Sequence, residues 1–137
     1  MKQKNIFLLL FFCLFLHSVT FSQTITFCNK LNAEEQCDKS IKKYYFSSDK
    51  GAPIFAVVRL PSEIGTTQVL YKLYRFGEDD EEIYMTTLTQ NVIPEWKTFY
   101  KQIVFTRESG YKVYLYTDKG QLITSAEISI LEDFGAE

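Results

Sequence analysis

From residue 43 onward the chain alternates short runs rich in β-branched and aromatic residues with clusters of turn-forming residues. That punctuation constrains the fold more than any other feature. The runs cover residues 43–47, 54–60, 68–76, 82–89, 98–105, 111–117 and 122–131, and the breaks between them include Asp49-Lys50-Gly51, Ile93-Pro94-Glu95, Glu108-Ser109-Gly110 and Asp118-Lys119-Gly120. No intervening segment has the length and 3.6-residue period of a crossover helix, which argues against a parallel α/β sheet. The spacing predicts an all-β chain: a single antiparallel β-sandwich of about seven strands.

Alternation within the runs assigns faces. In 111–117, Tyr111, Val113 and Leu115 share one face, against Lys112, Tyr114 and Tyr116. In 68–76, Val69, Tyr71 and Leu73 oppose Lys72 and Tyr74, and in the last run Leu122, Ala126, Ile128 and Ile130 oppose Ser125, Glu127 and Ser129. Lysine and glutamate mark the solvent side, since burying them is costly. The run 54–60 is apolar on both faces except at Arg59, as a central strand would be. In 98–105, Lys101 falls on the face of Phe99, Ile103 and Phe105, a conflict that a bulge would repair. Residues 29–43 form a polar lead-in, where Asn32 followed by Glu35 suggests a capping box for one or two helical turns. Residues 132–137 read as a frayed tail.

The first residues stand apart. Lys2 and Lys4 precede an unbroken apolar run from Ile6 to Leu16, and a short polar stretch follows. This is the anatomy of a secretory signal peptide, and a run of that length is too short to span a bilayer, which takes about 20 apolar residues. Thr20 and Ser22 supply the small residues of a cleavage site, so the expectation is a signal peptide over 1–22 and one domain over 23–137. The mature protein is expected to be secreted or periplasmic, with no membrane span. Removing Lys2 and Lys4 takes the net charge from -2 to -4.

Histidine carries the strongest exclusion. The single His17 lies in the leader, so the mature chain has no imidazole for a serine or cysteine nucleophile or for a zinc site. Phosphate-cradling glycine loops are missing, and no basic stripe offers a nucleic-acid groove. The expectation is a non-enzyme with no cofactor, no metal and no nucleic-acid partner. Cys28 and Cys37 remain after cleavage, an even pair suited to an oxidising compartment. A disulfide between them would close a loop of about ten residues, worth roughly 2–3 kcal/mol. The other arrangement is one buried cysteine and one exposed thiol. Bulky Phe27 before Cys28 does not fit a lipid-anchor site.

Gly110, Tyr111, Val113 and Leu115, followed by Asp118, Gly120 and Ile128, resemble the closing strands of bacterial immunoglobulin-like modules of the polycystic-kidney-disease type. The family usually puts one residue between the glycine and the tyrosine, and here Tyr111 follows Gly110 directly. The resemblance implies a seven-stranded immunoglobulin-like sandwich used for display, spacing or binding, and a tyrosine-corner role for Tyr111.

Three features could carry function. The acidic run Glu78-Asp79-Asp80-Glu81-Glu82 is either a calcium loop or a solvated hairpin tip, and it lacks the spaced pattern of the former. Trp96, the only tryptophan, either plugs one end of the sandwich or offers a platform for a sugar or a partner. If the strands holding Tyr74 and Tyr116 are neighbours, Tyr74, Tyr114 and Tyr116 share an outer sheet face with Lys72 and Lys112. That face suits contact with a protein or a glycan at the cell envelope, or is simply a set of stabilising cross-strand pairs. The expected role is a binding or display module at the bacterial envelope, the alternatives being a carbohydrate-binding module or an assembly subunit.

Overall fold

A computed structural model describes residues 22–47 and 49–133, so residues 1–21, which hold nearly all of the expected leader, lie outside the described residues, as do residue 48 and residues 134–137. Eight strands form: β1 (Thr24–Cys28), β2 (Lys43–Phe46), β3 (Ala52–Arg59), β4 (Gln68–Phe76), β5 (Glu82–Asn91), β6 (Thr98–Phe105), β7 (Ser109–Thr117) and β8 (Leu122–Glu132). They make two sheets, β1-β3-β6 and β2-β8-β7-β4-β5. The expected sandwich is present, with β1 as a strand beyond the seven expected. β3 is central in its sheet, as its two apolar faces require. One pairing departs from an antiparallel plan: β2 runs parallel to β8, with Tyr44 opposite Ile130.

The core lies between the inner faces predicted by alternation. Ile54, Ala56, Val58, Phe99 and Ile103 come from one sheet, and Val69, Tyr71, Val113, Leu115, Ile128 and Ile130 from the other. Tyr71 is fully buried, and burial pushes its phenol pKa up. Its hydroxyl donates to Gln90 Oε1 at 2.6 Å, and Gln90 Nε2 donates to the Tyr100 carbonyl at 2.7 Å. This chain ties the β5 side of one sheet to the β6 side of the other and leaves no buried polar atom unpaired on the way. At the corner from β6 to β7, Tyr111 is buried against Phe105 at 4.6 Å, and its hydroxyl donates to the Arg107 carbonyl at 2.6 Å. That is the tyrosine-corner hydrogen bond, reaching back a few residues upstream.

Several local expectations need correction. The lead-in contains no helix among the described residues. Asn32 does cap, its Oδ1 accepting from Glu34 N and Gln36 N at 3.0 Å, but Glu35 takes φ 60° and turns the chain back. The bridge of Leu31 to Cys37 and the Cys28–Cys37 disulfide, with Cα atoms 5.6 Å apart, hold that loop. Leu122 is not in the core: the β7–β8 register slips between Leu115 and Tyr116, leaving Leu122 52% exposed while Ile123 packs on the core. Lys101 needs no bulge. The β3–β6 register is continuous, and on an edge strand a half-buried lysine can run its stem along the sheet to water. Glu132 belongs to β8, and Asp133 N donates to the Phe46 carbonyl at 2.8 Å, so the strand end is tied rather than frayed.

Candidate functional site

The face at issue is the outer side of the five-stranded sheet. β4 and β7 are antiparallel neighbours, with Lys72 opposite Tyr114 and Tyr74 opposite Lys112. Because Tyr71, Leu73, Val113 and Leu115 must face the core, the residues between them face out. Tyr74 meets Tyr114 edge-to-face at 5.3 Å, and Tyr114 meets Tyr116 at 6.3 Å. Lys72 Nζ lies 4.7 Å from the centre of the Tyr116 ring, and Lys112 Nζ lies 4.9 Å from that of Tyr114. The five residues expected on one face are together.

Two residues that alternation did not supply complete the strip. Tyr84 on β5 sits opposite Tyr74 and packs edge-to-face against it at 5.6 Å. Glu82 accepts a short hydrogen bond from the Tyr114 hydroxyl and lies 3.7 Å from Lys112 Nζ. The hairpin signal would have found both. A turn centred on Asp79 pairs Phe76 with Glu82, and counting outward from it brings Tyr74 opposite Tyr84. Beyond Tyr84 the β4–β5 register slips, which returns Thr87 to the outer face, where its hydroxyl is 2.7 Å from that of Tyr84.

The electrostatics are those of a solvated network. The hydrogen bond to Glu82 holds the Tyr114 phenol above its usual pKa, because a carboxylate acceptor favours the protonated phenol. Tyr114 chiefly, with Glu82 and Glu127, holds the Lys112 ammonium above its own. Both groups lie at the surface, where an ion pair contributes little to stability. The arrangement is a continuous aromatic strip flanked by two lysines, 55% exposed at its Tyr84 end.

Trp96 is elsewhere, as expected, on the β5–β6 connection. It is 39% exposed and does not plug the sandwich. It borders a cleft of about 520 Å³ with Glu35, Gln90, Thr98, Phe99 and Tyr100. The acidic run is a hairpin tip. Gly77 N donates to the Glu81 carbonyl at 2.9 Å, Asp79 N donates to Glu81 Oε2 at 2.9 Å, and Asp80 takes φ 59°. With Glu81 bonded within the turn and Glu82 engaged by Tyr114, the carboxylates do not converge. Thermal unfolding in millimolar calcium or in chelator is therefore expected to differ by no more than about a degree, since a group that binds no ligand gains nothing by mass action. A rise of many degrees would make this turn a calcium loop.

No protein-family model matches the chain, and no curated protein matches its sequence. Solved structures do resemble it in shape. An immunoglobulin-like protein from Pseudomonas aeruginosa aligns with a TM-score of 0.51 at 11% identity, over 82% of this chain and 94% of that one. The fold is immunoglobulin-like. Superoxide reductase (neelaredoxin) from Ignicoccus hospitalis aligns at 0.44 and 12% identity over 81% of each chain, and a variant of it at 0.42 and 10% over 86% and 85%. At such identities the likeness concerns fold, and fold does not confer function.

Proposed function

We propose that this chain is an exported, non-catalytic binding module of the bacterial cell envelope. In this reading it loses its leader near Ser22 and binds a protein partner through the Tyr84–Tyr74–Tyr114–Tyr116 strip. The observation that carries the reading is the strip itself. Tyrosine offers a large amphipathic contact area with two side-chain torsions to immobilise, and neighbouring rings and lysines already restrain these. The disulfide, and the lack of a helix able to cross a membrane among the described residues, are compatible with export. The resemblance of the Gly110 to Ile128 stretch to polycystic-kidney-disease-type modules supports the same class of role.

A protein suits the strip better than a glycan. Sugars stack on open ring faces, whereas here Lys72 and Lys112 cover faces of Tyr116 and Tyr114 and the remaining contacts are edge-to-face. The glycan alternative rests instead on Trp96 and its cleft with Tyr100, Gln90 and Glu35. The test is co-purification with the tagged, exported protein from its native envelope. Tyr114→Ser combined with Tyr116→Ser should stay folded and lose the partner. Retention of the partner by the double variant would overturn the assignment.

A further inference from the structure

The backbone at Trp96 is anchored on both sides. Its N–H donates to the Ile93 carbonyl at 2.9 Å, its carbonyl accepts from Ile64 N at 2.8 Å, and Leu60 N donates to the Lys97 carbonyl at 2.8 Å. The β5–β6 connection is thus pinned to residues 60–65, yet the indole stays 39% exposed. Unlike Tyr114 and Tyr116, it has no ring or ammonium over it among the described residues. Glu35, on the turn closed by the Cys28–Cys37 disulfide, lines the same cleft as Thr98 and Tyr100 of β6. Phe99 faces the core, so Thr98 and Tyr100 face out, about 6–7 Å apart along the strand. The Glu35 carboxylate, the Trp96 indole N–H and the Thr98 and Tyr100 hydroxyls have no protein partner among the described residues.

A second cleft, of about 600 Å³, meets the first at Thr98, which lines both. Strand register builds it. Arg59 on β3 lies between Thr24 on β1 and Thr98 on β6, and Lys97 adds a second cation. None of its lining residues is acidic, and neither cation has an ion pair among the described residues. The chain as a whole has 17 acidic side chains against 15 basic ones, so two uncompensated cations in one cleft run against its composition.

We propose that the two clefts form one groove for an acidic saccharide. One sugar ring stacks on Trp96 and its hydroxyls donate to the Glu35 carboxylate, while a carboxylate or sulfate on a neighbouring ring pairs with Arg59 and Lys97. The combination selects this class of ligand. A simple anion or an acidic peptide gains from the two cations but is repelled by Glu35. A quaternary ammonium suits Glu35 but needs aromatic rings closed around it, and Tyr100 packs instead against Phe55 at 5.9 Å. A sugar acid carries an apolar ring face, hydroxyl donors and a negative charge on one frame, and each cleft has a volume usual for small-ligand sites.

The test is calorimetric titration of a chain of residues 23–137 with tetramers of galacturonate, of sulfated galactose and of neutral galactose. At least one acidic tetramer is expected to bind with a Kd below about 1 mM, at least about tenfold more tightly than the neutral one, and to weaken as salt rises. The tighter of the two acidic tetramers identifies the anionic group. Trp96→Ala should weaken that binding at least about tenfold with an unchanged circular dichroism spectrum. Arg59→Gln combined with Lys97→Gln should bring the acidic tetramer down to the level of the neutral one, and because both side chains are exposed this pair serves if Trp96→Ala unfolds. Tyr114→Ser combined with Tyr116→Ser should bind the tetramer as the parent does, which separates the groove from the tyrosine strip. No binding at 1 mM, equal affinity for acidic and neutral tetramers, loss of binding in the tyrosine pair but not in Trp96→Ala, or tighter binding of phosphocholine or of a proline-rich peptide would overturn the proposal.

Discussion

Leu115→Ala is expected to destabilise the protein by about 2–5 kcal/mol, the range for truncating a fully buried leucine and leaving a cavity. Tyr114→Ser or Tyr116→Ser, each one residue away on the same strand, should cost only about 1 kcal/mol, the range of a surface change. The contrast follows from parity. Leu115 has 0% exposure and sits between the sheets, while the tyrosines stand on the opposite face among lysines and water. In a domain of this size the leucine variant should melt on the order of 10–20 °C lower. Urea unfolding of the three variants measures the difference directly. A tyrosine variant that falls as far as the leucine variant would mean that the strip supports the core, and the proposed binding face would go with it.

Replacing Cys28 and Cys37 together by alanine should cost about 2–3 kcal/mol, as expected for releasing a loop of this length in the unfolded chain. A structural consequence adds to the entropic one. Cys28 is fully buried at the end of β1, and the loop it closes leads into the segment that covers the β1 edge. Loss of the bond should therefore expose β1 to exchange before the rest of its sheet, a difference that amide hydrogen exchange can resolve. Mass analysis of a chain of residues 23–137 with alkylation should count no free thiols before reduction and two after. Two free thiols beforehand would remove the bond from the native state.

Much of the architecture was legible along the chain because a sheet writes its two faces into alternate residues. Val69, Tyr71, Leu73, Val113 and Leu115 all face the core as the period predicts, and Lys72, Tyr74, Lys112, Tyr114 and Tyr116 face out. The closing strands carried the immunoglobulin-like signal, and Tyr111 makes the corner hydrogen bond that the resemblance implied.

What alternation cannot carry is anything that breaks its own period or depends on distant segments. Leu122 reads as inward because one extra residue in β8, Ile123, shifts the count, and nothing local distinguishes which of the two apolar neighbours is bulged. β1 is not legible locally because it is five residues long and runs straight into a polar loop, and it becomes a strand by pairing with β3. The parallel contact of β2 with β8 joins residues far apart in the chain, so its direction is set by the packing of the two sheets. Strip membership has the same origin. Sequence period could aim each tyrosine outward, but the meeting of Tyr74, Tyr84, Tyr114 and Tyr116 needed β5, β4 and β7 to be neighbours. Strand order arises from long-range closure of the sandwich, and no run of consecutive residues encodes it.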